Sequence, residues 1–498
     1  MPYLLGVDIG TEGTKVVVVD EKGHIVTKAY QSYSFDVPQS GWAEQDPIVW
    51  WEALKNCLNE LWEKGVDSHD IIAMGVAGQM HSSVLLDHQG EVVTKSILWN
   101  DGRTKEICDQ ALLAVGKEKY QVQTCNSLLP GFTLGKLLWI KENLPTAYQR
   151  IEHVLMPKDY INYRLTQRYT SDVTDASGTG VFDVRERRWN DEIISNFSLP
   201  RTWFPEVFES GSVIGSVSAR ASEETGLQTT TLVIAGAADN AAAAVGMGIV
   251  STKRGLVSIG TSGVILCCLD QPPSPEQSAA QNPTLHVFCH AISGMWYAMG
   301  VTLAAGASLK WFRDALGDGQ SYDTLMAEAA KVECGSDGLF YLPFLMGERT
   351  PYNSDRIRAA FLGVHMGHRH GHFVKSVIEG VAYSLKECFD VVRSVTDCVE
   401  EFTVTGGVIN SSEWLHVLAD VLDASLTVPD YSEGAALGVA MLSGMTMGWQ
   451  TNPHDEAVGS DAMHKIGQSD NRVVYEEKYL QYKALAASLL ATSLMPLS

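Results

Sequence analysis

At 498 residues the chain is too long for a single core and has material for two to four domains. Its 59 Asp and Glu outnumber 37 Lys and Arg, and the resulting charge of −22 is spread along the chain without an acidic block, which argues against nucleic-acid or anionic-membrane partners. With 45% hydrophobic residues, 19% charged residues and 44 glycines, the composition is that of a loop-rich globular protein, neither disordered nor fibrous.

The opening Met1-Pro2-Tyr3-Leu4-Leu5-Gly6-Val7-Asp8 has no basic region and meets a carboxylate too early for a secretory core, so it reads as a first strand. The apolar run from Tyr3 passes through Asp8-Ile9-Gly10-Thr11-Glu12-Gly13-Thr14-Lys15 into a second run, Val16 to Val19, closed by Asp20-Glu21-Lys22-Gly23. That pattern predicts a β-hairpin with a polar, glycine-rich tip. Asp46-Pro47 then opens a helix with apolar residues at Trp50, Trp51, Leu54, Leu58 and Leu61. A strand from Ile71 runs into Gly78-Gln79-Met80-His81.

Half a chain later the opening recurs: a strand from Gly255, the tip Gly260-Thr261-Ser262-Gly263, and a strand from Val264. Two such units, each followed by helix and strand alternation, predict two related α/β domains facing a central cleft, the default ligand site. The boundary is expected near Met247, giving domains 1–247 and 248–498, because the small, apolar run 241–250 suits a hinge or linking helix. The uncharged stretch 291–309 is long enough to raise the membrane question, but its three glycines and its Ser293, Thr302 and Ser308 predict a buried strand-turn-strand. Nine cysteines at 57, 108, 125, 267, 268, 289, 334, 388 and 398 contain no C-x-x-C, which fits a reducing cytoplasm and neither a disulfide framework nor a zinc site.

A Gly/Thr tip offers closely spaced N–H groups and short hydroxyls to a phosphate chain. Beside the first tip, Asp8 has the chemistry to hold Mg2+ through a water and Lys15 to reach a terminal phosphate; the same residues also suit an ordinary turn. No G-x-x-x-x-G-K-[ST] occurs, which disfavours a P-loop enzyme. Val404-Thr405-Gly406-Gly407-Val408-Ile409-Asn410 leads into a helix begun by Ser411, where the glycines would let an adenine lie against the backbone; an N-cap explains Ser411 equally well. Asp239, in Ala235-Gly236-Ala237-Ala238-Asp239-Asn240, is either a helix N-cap or a base that takes a hydroxyl proton as phosphate arrives. His81 suits a polyhydroxylated ligand and Trp99 a sugar face, against a loop histidine and a core tryptophan. His365, His368, His370 and His372 are spaced like metal ligands but have no carboxylate or thiol near them in sequence.

Taken together, the tip at 8–15, Ser40-Gly41-Trp42-Ala43-Glu44-Gln45-Asp46-Pro47, Gly78-Gln79-Met80-His81, Trp99-Asn100-Asp101-Gly102-Arg103, Pro157-Lys158-Asp159-Tyr160, Asp239-Asn240, the tip at 258–263 and Gly347-Glu348-Arg349-Thr350-Pro351 resemble the FGGY carbohydrate kinases, and within them the xylulokinases. The resemblance covers nearly the whole chain in order. It implies an α/β architecture of two actin/hexokinase-like (ribonuclease H-like) ATPase domains, and ATP- and Mg2+-dependent phosphorylation of a sugar hydroxyl, for xylulokinases C5 of D-xylulose. By matching position it implies Asp239 as catalytic base and Met80, His81, Trp99 and Asn240 as sugar contacts. Asp8 would serve the metal, Thr11, Gly13, Lys15, Gly260 and Thr261 the phosphates, and Gly306, Gly406, Gly407 and Ser411 the rest of the nucleotide. A small-molecule sugar is the expected partner, and a homodimer is compatible with the sequence.

Four departures stand out. Glu12 occupies a position where the family has Ser or Thr facing the terminal phosphate, so it would either repel that phosphate or hold the metal. Ser82-Ser83 replaces Gly-Ala, Gly236-Ala237-Ala238 replaces a glycine triplet, and Gly406-Gly407-Val408 lacks a third glycine. These leave ribulose, L-xylulose or a pentitol such as xylitol as alternative substrates. A partner-switching actin- or chaperone-like ATPase is the rival from another class; the helical sequence around 475–494 leaves it no room for a substrate domain. A phosphate-chain hydrolase on the same fold would need no sugar at all.

Overall fold

The computed structural model describes residues 1–396, 399–429, 433–449 and 463–493, which leaves Cys398 and Leu494 outside the described residues. Two seven-stranded sheets organise the chain. In the first, Tyr3–Ile9 and Gly13–Val19 form the expected hairpin, extended by Ile25–Ser32, all antiparallel. On its other edge Tyr3–Ile9 pairs in parallel with Ile71–Gly78, which pairs in parallel with Leu232–Ile234. The second sheet repeats this order: Trp296–Thr302, Gly263–Leu269 and Arg254–Ile259 run antiparallel, then Glu401–Gly406 and Ser425–Pro429 follow in parallel. Apolar runs such as Val16 to Val19 become central strands because both their faces are covered.

The halves are interlocked. The helix Gly434–Thr446 comes from the end of the chain, yet it lies on the Tyr3–Ile9 and Ile71–Gly78 strands of the first sheet and crosses the helix Asp239–Gly246. The backbones meet so closely that a Cβ on Gly438 would lie 1.9 Å from the Ala242 carbonyl oxygen, so only glycine fits there. Side chains also cross between halves. Asn126 donates to Val287 O (2.7 Å) and accepts from its N–H (2.9 Å), Arg187 donates to Met295 O (3.0 Å), and the Trp296 indole donates to Val184 O (2.7 Å).

Two local expectations need correction. The stretch 291–309 is a turn, one strand (Trp296–Thr302) and the start of the helix Gly306–Ala315, because the backbone from Ala305 onward bonds to the tip at Gly260 and Thr261 instead of returning as a strand. The run 241–250 is helical only through Gly246. Among the described residues no helix is long and apolar enough to cross a membrane.

Candidate active site

The second hairpin tip lines two neighbouring cavities and Met80 and His81 line one of them, whereas Asp8, Thr11, Gly13 and Lys15 of the first tip line neither. The smaller, about 220 Å³, is lined by Met80, His81, Trp99, Asp239 and Asn240, all five of the expected sugar-side residues. It also takes Phe132 and Leu129, together with Ser262, His286 and Arg349 from the second half. The larger, about 880 Å³, is lined by Gly260, Thr261, Gly306, Gly407 and Ser411, with Trp311, Tyr322, Met326 and Trp414 supplying apolar walls. Consecutive residues of the second tip thus face different cavities, Thr261 the larger and Ser262 the smaller.

Asp239 is the first residue of its helix, and Ala238 occupies the cap position, so the N-cap explanation does not hold. Its Oδ1 accepts from the Asn240 backbone (2.7 Å) and from the Asn240 amide (2.9 Å); its Oδ2 has no partner among the described residues. Burial, and next the negative charge of Asp8, push this carboxyl up to about 7, against the two hydrogen bonds from Asn240. A half-buried carboxylate that titrates near neutrality and keeps one oxygen free can accept a proton from a bound hydroxyl. Its backbone is held from behind: Thr174 Oγ1 accepts the Ala238 N–H (2.7 Å) and donates to Asp172 (2.7 Å), which meets Lys158 Nζ at 2.9 Å in a fully buried cluster with Asp159 and Asp175. The Pro157-Lys158-Asp159 run therefore supports the site from outside the cavity.

His81 has a backbone φ of +66°, an uncommon conformation for a residue with a side chain. It is locked there by hydrogen bonds to its carbonyl from the buried Lys136 (2.6 Å) and from Thr133 (3.0 Å). Burial pushes the imidazole down to about 3, and the nearby charges of Lys136 and Arg349 add to this against the opposing hydrogen bond to Gly178. The ring is neutral; Nδ1 donates to Gly178 O (2.7 Å), which leaves Nε2 as an acceptor. Phe132 stacks on it at 4.7 Å. Burial likewise pushes the Lys136 amine down to about 7.

The first tip is tied to the sugar side. The Trp99 indole donates to the Thr11 hydroxyl (3.0 Å), which donates to Gln79 (3.3 Å). Gly13 starts the second strand under the Tyr30 ring. Asp8 and Lys15 face each other in register across the hairpin, with no ion pair within 4 Å among the described residues. Burial raises the Asp8 carboxyl to about 6 while Lys15 pulls it back, and its Oδ1 is buried without a partner. An orphaned carboxylate oxygen beside a phosphate tip fits a hard divalent cation.

In the larger cavity Gly306 begins a helix pressed onto the second tip, where a Cβ would lie 2.4 Å from Gly260 O. Gly407 faces open space. Ser411 both caps its helix, accepting the Trp414 N–H (3.2 Å), and lines the cavity. Gly406 does not line it: at φ +93° its α-carbon lies against Ile259, where a Cβ would be 2.1 Å from the carbonyl oxygen.

Glu12 is exposed and its carboxylate has no partner among the described residues; only its carbonyl is used, by Tyr33 N–H (3.0 Å) and Tyr30 Oη (3.4 Å). Of the other departures, Val408, which stands where a third glycine is expected, lines the larger cavity, whereas Ser82-Ser83 and Gly236-Ala237-Ala238 line neither cavity. Ser82 accepts the Trp99 N–H (3.1 Å) and donates to Gln79 (3.2 Å), and Ala237–Ala238 pair with Ala77 and Gly78. The histidine cluster does gain a carboxylate, from Asp337, whose Oδ2 is 3.0 Å from His365 Nε2 and 4.0 Å from His368 Nε2. Yet both Nδ1 atoms accept backbone N–H groups, of Gly367 and His365, so each Nε2 carries the proton and the cluster is a hydrogen-bond clamp.

Phe132, His286, Arg349 and Lys136 escaped the sequence reading, and Ser262 entered it only as part of the second tip. Arg349 sits in a recognised run, but its type and neighbours alone gave it no role.

Residues 3–246 match the N-terminal domain of the FGGY family of carbohydrate kinases, and residues 255–447 the C-terminal domain. The xylulose kinase of Lactococcus lactis is 35% identical over 450 residues, 90% of this chain and 88% of its own length. That of Escherichia coli is 33% identical over 479 residues, 96% of each. The crystal structure of a "xyloylose kinase" from Brucella ovis superposes with a TM-score of 0.90 at 31% identity, covering 98% of this chain and 100% of that one. With both family domains matched in order over most of the chain, and relatives a third identical along nearly its whole length, the chain belongs to the FGGY family of carbohydrate kinases.

Proposed function

We propose that this ATP-dependent sugar kinase phosphorylates a ketopentose, D-xylulose to D-xylulose 5-phosphate. The observation that carries the reading is the second tip: Thr261 faces the larger cavity and Ser262 the smaller, so a nucleotide in one and a sugar in the other would meet at Gly260-Thr261-Ser262. The names of the relatives support xylulose as the acceptor.

In this reading the adenosine lies between Trp311, Tyr322 and Gly407, and the phosphates run along Gly306, Gly260 and Thr261 toward Lys15. The sugar lies against Trp99 and Met80; Asn240 orients Asp239, and His81 Nε2 accepts from a hydroxyl. Asp239 Oδ2 takes the proton of the reacting hydroxyl as its oxygen bonds to the γ-phosphorus and the bond to the β-phosphate oxygen breaks, releasing ADP. Mg2+ held by Asp8 would neutralise charge on the transferring phosphoryl group. The boundary near Met247, a cytoplasmic location and a homodimer belong to the same reading; light scattering reads the last.

The departures at Ser82, Ala237 and Ala238 do not speak against D-xylulose, because these residues line neither of the two cavities. The test is ADP release with a panel of ketopentoses and pentitols, and NMR of the product. Strong stimulation by D-xylulose with phosphate on C5 is the expected result. ATP turnover indifferent to every sugar would overturn the reading.

A further inference from the structure

The Arg349 guanidinium lines the smaller cavity and has neither a hydrogen bond nor an ion pair from the protein among the described residues. The residue is half-buried, and its five N–H donors open onto the cavity without a protein acceptor, so they are available to a ligand there. The backbone that carries it is held tightly. The buried Glu348 carboxylate accepts from the Arg349 N–H (2.7 Å), the Leu303 N–H (2.9 Å), the Thr302 hydroxyl (2.6 Å) and the Ser384 hydroxyl (3.3 Å). The next residue, Thr350, exchanges hydrogen bonds with both the N–H (3.1 Å) and the carbonyl (3.1 Å) of Val301. A side chain on a fixed backbone, with its donors unsatisfied and facing a ligand cavity, is preorganised for a ligand acceptor.

What acceptor it takes follows from its neighbours. Arg349 is the sole cation lining this cavity and Asp239 the sole carboxylate, yet they form no ion pair with each other. Arg349 shares the cavity with His81, His286 and Phe132, both imidazoles being held neutral mainly by burial and further by the Arg349 charge. A guanidinium only donates. A carbonyl oxygen only accepts, whereas a hydroxyl facing the guanidinium must also find an acceptor for its own proton.

We propose that Arg349 reads the unreacting end of the sugar, donating to the carbonyl oxygen of an open-chain ketose, and so selects ketoses over the corresponding polyols. The inference rests on the sugar-kinase reading above and names the substrate feature that the second half of the chain recognises.

The experiment compares kcat and KM for D-xylulose and for its two reduction products, xylitol and D-arabinitol, in wild type, Arg349→Met and Arg349→Lys. In Arg349→Met, kcat/KM for the ketose is expected to fall roughly 10–100-fold, chiefly through KM, as befits loss of a charged hydrogen bond, while the polyol values change less than about threefold. Arg349→Lys should recover part of the ketose preference, and the KM for ATP should stay put in both variants. A ketose-to-polyol ratio unchanged within about threefold in folded Arg349→Met, or an equal loss on all acceptors, would overturn the proposal. If Arg349→Met does not fold, the same ratio in Arg349→Ala decides, since alanine leaves no donor for the carbonyl and a preserved ratio there counts against the proposal. A wild-type protein inert toward every ketose, polyol and ATP combination would instead bring down the underlying reading, and this inference with it.

Discussion

Asp8 and Asp239 flank one strand end: Asp8 pairs with Ala77 from one side of the Ile71–Gly78 strand, while Ala237, two residues before Asp239, pairs with Ala77 from the other. The two carboxylates come from opposite ends of the first half, and the charge of Asp8 helps hold Asp239 near neutrality. Their mutual repulsion would be relieved by a cation or a proton entering between them, so a cation bound at Asp8 would be coupled to the protonation of Asp239.

Replacing Asp239 by Asn keeps the shape and the helix start but removes the proton acceptor. Turnover on the best sugar should fall by roughly 10²–10⁴, about 3–5.5 kcal/mol of barrier, with ATP affinity nearly unchanged. More than a tenth of wild-type turnover in the folded variant would show that Asp239 is not the base.

The same substitution should raise stability, in a pH-dependent way. The folded protein holds the Asp239 proton up to about pH 7 and the Asp8 proton up to about 6, both above the ordinary 3.8. Between about pH 4 and 7 the folded state therefore binds more protons than the unfolded one, and stability falls as pH rises through that window. Asp239→Asn removes one of these terms, so its Tm relative to wild type should grow more positive from pH 4.5 to 7.5 and level off above. A Tm difference that is flat with pH would mean that the burial of Asp239 carries no such penalty.

Glu12 points its unpartnered carboxylate to solvent, so Glu12→Ser should alter the KM for ATP and the Mg2+ requirement less than about threefold, and any change should shrink as ionic strength rises. A large, salt-resistant change in either quantity would place the carboxylate on the phosphate or the metal.

Two neighbouring glycines should respond in opposite ways. At Gly407 a Cβ meets nothing, so Gly407→Ala should leave Tm unchanged or slightly higher while narrowing the nucleotide cavity, at a cost of about 1–3 kcal/mol in ATP affinity. At Gly406 the φ of +93° and the Ile259 carbonyl forbid a Cβ, so Gly406→Ala should lower Tm directly. Thermal melts with and without ATP separate the two effects.

Much of the protein is local in origin, and that part was legible without coordinates. A Gly/Thr tip between two apolar runs announces both a hairpin and a row of free N–H groups, because the chemistry lies in adjacent residues; its recurrence at Gly260 predicted the doubled sheet order. His81 and Asp239 could be singled out because each follows an apolar strand pattern, and Trp99 for its apolar ring, whereas Met80 and Asn240 could be named only through the resemblance to the carbohydrate kinases. What sequence alone left undecided depends on contacts across long separations. Thr11 is turned toward Trp99 by a hydrogen bond spanning 88 residues, Lys136 clamps His81 from 55 residues away, and Asp337 reaches the histidine cluster from 28 residues upstream of His365. Arg349 enters the smaller cavity only because the two halves of the chain pack together, and Gly406 is kept from the larger cavity by its parallel register with Ile259. Hairpin and helix signals are written in neighbouring side chains, whereas the direction of a side chain and the walls of a cavity follow from strand register and interlocked backbones, which only the folded chain brings together.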